Sequence, residues 1–253
     1  MELDWTLLLA PFVAGLLVLA THVLLGIEVL RRGIIFIDLA IAQVAALGAM
    51  TASLFELETL IPLHGYATQV AAGVAAGLGA LLMNACERRW PEIQEALIGL
   101  VFVFSAAAGI LILAHHPHGG EHLRDLLAGQ LLWVNWRQLG PVAALYALVI
   151  GLWFGFSKRW SSLGFYLLFA LTVTASVQLV GVLLVFASLI APALATRRLS
   201  GARRLVTAYA FGASAYALGL VASLYADLPA GATVVCSLCL LAVLGVGWGR
   251  RVE

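Results

Sequence analysis

Apolar stretches long enough to cross a lipid bilayer recur along this chain with almost no charge inside them. That pattern restricts the fold more than any motif does. A spanning helix needs about 20 mostly apolar residues, and candidate spans run near 5–27, 33–55, 67–85, 95–114, 140–156, 163–179, 181–196, 205–224 and 231–249. Of 253 residues, 63% are hydrophobic and 11% charged, against roughly 25% charged in ordinary globular chains. A soluble protein of this length could not cover its surface with so little charge. The expected fold class is an all-α polytopic membrane protein with about eight or nine transmembrane helices. The 25 glycines fit close helix packing in lipid. The opening "MELDWTLLLAPF" has no basic leader and does not read as a cleaved signal peptide.

The basic residues set an expected orientation. Arg31 and Arg32 follow span one, Arg88 and Arg89 span three, and Lys158 and Arg159 span five. Arg197, Arg198, Arg203 and Arg204 follow span seven, and Arg250 and Arg251 span nine. Only Arg124 and Arg137 fall on the other side. The positive-inside rule then puts the N-terminus outside and the C-terminus in the cytoplasm. Residues 163–196 must hold two crossings in too few residues, with the turn expected at "QLVG" (178–181). One or both arms are therefore expected to be half-length and buried in protein, where broken helices are tolerated, and eight spans plus a re-entrant element fit nearly as well. No repeat, linker or soluble domain interrupts the chain, so residues 1–253 are expected to form one transmembrane domain. A net charge of +1 points to no charged partner, and no nucleic acid is expected.

Several polar groups interrupt the apolar pattern. "GIIFIDLAIAQVAALGAM" (33–50) carries Asp38 and Gln43, and His22 and Gln178 lie in other spans. Ionisable groups at membrane depth are costly and usually face a cavity or a bundle interior. Asp38 either lines such a path or reaches the cytoplasmic interface from near Arg32. Gln43 either joins a path or makes a packing hydrogen bond among small neighbours. The outer loop "HHPHGGEH" holds His115, His116, His118, Glu121 and His122, all ligand types for first-row metals. It reads as a flexible polar loop, as a weak metal-attracting loop, or as a structural site. After it, "LRDLLAGQLLWVNWRQL" (123–139) reads as an interfacial helix, so that 115–138 forms an outer loop and a surface helix within the domain. Cys236 and Cys239 read as small residues packed inside the last span.

Two absences exclude function classes. No G-x-x-x-x-G-K-[ST] stretch exists, so this chain does not bind ATP through a P-loop. "GASAY" (212–216) lacks the second glycine of a nucleophile elbow, which disfavours an intramembrane hydrolase. The chain is not expected to be an enzyme.

"GVLLVFASLIAPALATRR" (181–198), "EALIGLVFVFSAAAGILIL" (95–113), "HLRDLLAGQLLWVNWRQL" (122–139) and "DLPAGATVVCS" (227–237) resemble, in order, segments of the metal-ion ABC importer permeases, the family that moves zinc, manganese or iron. The resemblance covers nearly the whole chain. It implies a type II ABC importer-like permease working by alternating access, with no covalently bound cofactor and a transported divalent metal, zinc or manganese foremost. It implies a second permease chain in a homodimer, a pair of cytoplasmic ATP-binding subunits, a periplasmic metal-binding protein, and a home in the cell (inner) membrane. Path candidates become His22, Asp38, Gln43, Glu95 and Gln178. Lys158, Arg159, Arg197, Arg198, Arg203 and Arg204 become candidates for coupling to the ATPase. The chain departs from the family pattern twice. Gln43 stands where many members have a histidine, and only "SKRWSSLG" (157–164) stands where many have a longer cytoplasmic helix. The rival readings are an ion-coupled secondary metal transporter and a permease for a metal chelate.

Overall fold

The computed structural model describes residues 6–55, 66–114, 129, 131–156 and 161–248. Nine α-helices run through these residues: α1 Thr6–Arg32, α2 Ile37–Leu54, α3 Ala67–Arg89, α4 Gln94–Leu113, α5 Trp136–Phe156, α6 Ser162–Val180, α7 Val182–Ala195, α8 Gly201–Ala226 and α9 Ala230–Trp248. Two 3-10 turns, Pro91–Ile93 and Leu131–Trp133, complete the secondary structure, and no strand occurs among the described residues. Each of the nine expected spans is one helix. Seven helices, α1 to α6 and α8, are long and apolar enough to cross a membrane. α7 is the expected short arm. Its 14 residues reach about 21 Å, less than the ~30 Å hydrocarbon core. Gly181 makes the turn before it at φ +85°, a conformation that a side chain would strain.

Helix ends moved where the sequence supplies local partners. α1 runs on to Arg32 because Glu28 pairs with Arg31 at 2.6 Å and with Arg32 at 2.7 Å. Cations in a last turn also suit the helix dipole. The expected interfacial helix is corrected at its end. The Asn135 amide donates to Gln138 Oε1 at 3.1 Å, and the Gln138 amide donates to Asn135 Oδ1 at 3.1 Å. This is a reciprocal capping box, and it starts the long helix α5 at Trp136. Before it stands the Leu131–Trp133 turn, with Trp133 78% exposed. The rest of 115–138, apart from Gly129, lies outside the described residues.

The chain divides into two compact units. One contains Met1–Gly33, Leu127–Gly151 and Gln178–Glu253, and the other Ile34–Leu126 and Leu152–Val177. In the first unit α1 packs on α7 and α8, and α9 packs on α7 and α8. A Cβ on Gly26 of α1 would overlap the Leu189 carbonyl oxygen of α7, and one on Gly15 would overlap the Tyr216 ring of α8. Such close approach is what small residues allow between helices in lipid. On α9 the buried Val234 and Leu238 turn Cys236 and Cys239 outward, where both are free and exposed. The expectation that these cysteines pack inward is therefore corrected.

In the second unit α2 packs on α3 and α4. Gly48 rests against Ala71 and Ala75, and Gly79 against Ile41 and Val44, so α2 and α3 run antiparallel. Phe36 meets Glu95 and Met50 meets Gly109, at the same sequence separation of 59 residues. α2 and α4 are thus parallel and in register. One end of this unit gathers the start of α2, the end of α3 and the start of α4.

Candidate functional site: a donor-free carboxylate at the start of α2

α2 begins without a side-chain cap of its own, at N-cap Phe36. The cap comes from α4: the Phe36 amide donates to Glu95 Oε1 at 3.1 Å. Asp38 follows in the first turn of α2. Unsatisfied amides and the helix dipole both favour an acid at this position. Yet Asp38 is fully buried, and neither carboxylate oxygen has a hydrogen-bond partner. Glu95 Oε2 and Asn84 Oδ1 are likewise buried and without a partner. Asn84 sits on α3, five residues beyond the Gly79 contact with α2, at the same end of the unit as Asp38. A buried polar group without a partner costs free energy, and a buried charge costs far more. Buried oxygen acceptors without a partner, on Asp38, Glu95 and Asn84, therefore lie at one end of this unit.

The remaining candidates are dispersed. Gln43 is half-buried on α2 and Gln178 is exposed on α6. His22 lies in the first unit and is fully buried. Its Nδ1 is 2.9 Å from the Val18 carbonyl oxygen and 3.1 Å from Thr21 Oγ1. A carbonyl only accepts, so Nδ1 carries the proton and Nε2 presents a lone pair, buried and without a partner. A ring nitrogen fixed in this way by a backbone carbonyl is the arrangement found behind metal-binding histidines. Arg197, Arg198 and Arg203 are exposed between α7 and α8 or in the first turn of α8. Arg204 turns back and donates to the Ala193 carbonyl at 3.3 Å. Lys158, Arg159, His115, His116, His118, Glu121 and His122 lie outside the described residues. Among the described residues no group of three or more His, Cys, Asp or Glu side chains could hold a metal ion.

Sequence reasoning passed over three groups. Asn84 is a lone amide in an apolar helix, and that polarity was its available signal. Gln94 donates to the Tyr166 hydroxyl at 2.6 Å from 72 positions away, a pairing that spacing cannot reveal. Ser162 donates to Glu87 in the same way, across 75 positions.

Comparison with known proteins places the chain in context. The family described as "ABC 3 transport family" matches residues 4–165 and 153–248. A curated relative from Haemophilus influenzae, named "Probable iron transport system membrane protein", is 25% identical over 62% of this chain and 65% of its own length. Another from Chlamydia muridarum, "Probable metal transport system membrane protein", is 25% identical over 67% of this chain and 63% of its own. The chain thus spans just under two thirds of the length of these relatives. Among solved structures, PsaBC from Streptococcus pneumoniae in complex with Fab superposes with a TM-score of 0.76 at 18% identity, covering 96% of this chain and 91% of that one. At that identity the likeness establishes a shared fold.

Proposed function

Because this chain belongs to the ABC 3 transport family, we propose that it is the membrane permease subunit of an importer for a divalent metal ion, zinc, manganese or iron. The observation that carries this reading is the fully buried Asp38 carboxylate, which lacks any hydrogen-bond donor in a membrane-spanning helix. Within the second unit Asp38, supported by Glu95 and Asn84, offers oxygen to the cation near the cytoplasmic end of the path, and within the first unit His22 is a separate nitrogen candidate. Gln43 in the second unit and Gln178 in the first are further path candidates, each within its own unit. The names of the two relatives, iron and metal transport system membrane proteins, support a metal cargo.

The sequence has no P-loop, so the energy comes from a separate pair of ATP-binding subunits. These dock on the basic segments, Lys158 and Arg159 in one and Arg197, Arg198, Arg203 and Arg204 in the other. A binding protein delivers the ion outside, where His115, His116, His118, Glu121 and His122 raise its local concentration. Two permease chains flank the path in the inner membrane. The N-terminus lies outside and the C-terminus in the cytoplasm, following the basic clusters.

The test is reconstitution in liposomes with the ATP-binding subunits and the binding protein, followed by uptake of radioactive zinc, manganese and iron. ATP-driven accumulation of one of these metals is expected. Accumulation by the purified chain alone under a proton or sodium gradient would make it a secondary transporter instead.

A further inference from the structure

The second unit holds a chain of hydrogen bonds, buried at Gln94–Tyr166, part-buried at Ser162–Glu87 and exposed at Phe36–Glu95, that path residues alone do not explain. Gln94 and Glu95 are adjacent on the first turn of α4, about 100° apart around the helix. Gln94 grips α6 through the Tyr166 hydroxyl at 2.6 Å. Glu95 grips α2 through the Phe36 amide at 3.1 Å. Gln94 and Tyr166 are both buried. One turn before Tyr166, Ser162 donates to Glu87 near the end of α3. The start of α6 is capped locally, because the Gly164 amide donates to Ser161 Oγ at 3.2 Å. A 3-10 turn at Pro91–Ile93 sets α4 off from α3, so the first turn of α4 is a corner with its own geometry.

We propose that the first turn of α4 is a lever through which displacement of the start of α6 moves Asp38, with Gln94 and Glu95 as positioning residues. Stretching the buried Gln94–Tyr166 bond would leave its partners unsatisfied, at the full desolvation cost, whereas the exposed Phe36–Glu95 bond transmits motion as a helix cap. When α6 shifts, Gln94 follows Tyr166. Glu95 is fixed to Gln94 by one peptide unit of a rigid helix, so it follows too. The Phe36 amide follows Glu95 and carries the first turn of α2, on which Asp38 stands two residues later. The inference rests on the permease reading only for what pushes α6. In that reading, ATP-binding subunits act on the segment that ends at Ser161, and the response is a change in what Asp38 presents to the cation.

Two measurements test the lever. The first is hydrogen exchange on the full chain in lipid nanodiscs, read at the α2 amides from Ala40 onward. The Ala40 amide bonds to the Phe36 carbonyl at 3.1 Å, so it reports the first turn of α2. Gln94→Met keeps size and removes the donor. Tyr166→Phe removes the hydroxyl from the other side. Both are expected to accelerate exchange at these α2 amides, although neither altered side chain bonds α2. Faster exchange confined to α4 and α6 overturns the proposal. The second measurement uses the complete transporter in liposomes, with zinc and manganese as probes. Metal carried per ATP hydrolysed is expected to fall about five-fold in Gln94→Met while hydrolysis itself holds, within the effect of mutations along coupled networks. Uptake and hydrolysis falling together would reduce Gln94 to a purely structural group. A wild-type protein that takes up no metal with ATP counts against the transport reading alone, and the exchange measurement then decides the lever by itself.

Discussion

The Tyr216 hydroxyl lies 2.8 Å from Ser188 Oγ, and both residues are fully buried. Ser188 Oγ also donates to the Leu184 carbonyl at 2.7 Å. Its single proton is thereby used, so Tyr216 is the donor to Ser188. The pair joins α7 to α8 inside the first unit. Tyr216→Phe and Ser188→Ala should each lower stability in detergent by about 1 kcal/mol. The double variant should fall short of the sum by about 0.6 kcal/mol, the mean for hydrogen bonds between membrane helices. A thermal-unfolding double-mutant cycle reads this, and exact additivity would show that the two hydroxyls are not coupled.

Asp38 should trade stability against transport. Asp38→Leu removes a donor-free carboxylate from a buried site, so the variant should unfold at a higher temperature while taking up no metal. Asp38→Asn keeps the shape and loses the charge. It should lower the maximal uptake rate about ten-fold or more at every metal concentration, with normal protein in the membrane, if the carboxylate supplies about 1.4 kcal/mol or more to the slow step. Wild-type uptake in Asp38→Asn would return the residue to a simple helix-start acid.

Two helix glycines, Gly26 of α1 and Gly77 of α3, should behave in opposite ways when substituted. A Cβ on Gly26 would overlap a backbone oxygen, whereas one on Gly77 would meet nothing within 4 Å. Gly26→Ala should cost about 2 kcal/mol or more through forced separation of α1 and α7. Gly77→Ala should be neutral or stabilise by up to about 1 kcal/mol through helix propensity. Fluorescence-detected gel filtration after graded heating separates these outcomes.

Nine apolar segments could be read from the chain because lipid imposes one requirement, about twenty apolar residues per crossing, which seven of the helices meet and whose shortfall between the basic clusters marked the short α7. The ends were less legible. Arg31 and Arg32 lie past the apolar span, yet Glu28 pairs with both inside α1, and "NWRQ" (135–138), inside a stretch that reads as a surface helix, is the capping box that starts α5. The division into two units was hidden, since two of its boundaries fall inside the continuous helices α5 and α6, at Gly151 and Val177, and not in a loop. At the site, Asp38 stood out as a carboxylate among alanines and isoleucines. Glu95 came into view only through a resemblance, and Gln94 not at all, because its partner is 72 residues away.

The outer histidines should concentrate metal rather than gate it. Replacing His115, His116, His118 and His122 by alanine should reduce uptake at scarce metal and leave the rate at saturating metal unchanged. Concentration-dependent uptake by intact cells distinguishes the two, and a lost maximal rate would assign the loop to the gate.

Ser200 stands in the basic segment between α7 and α8, and it is exposed. In a background without Cys86, Cys236 and Cys239, a cysteine at position 200 should resist an impermeant thiol reagent added to intact cells and react once the membrane is opened. Labelling from outside would invert the topology.

The brevity of α7 bears on how the protein is made. Fourteen residues are too few to hold a crossing as an isolated segment, and Gly181 alone separates α7 from α6. α7 therefore depends on α1, α8 and α9, the helices of its own unit that pack on it, to stay in place once inserted. Damage at Gly181 should then surface during biogenesis, as chains degraded or threaded the wrong way round, before any transport assay could register it.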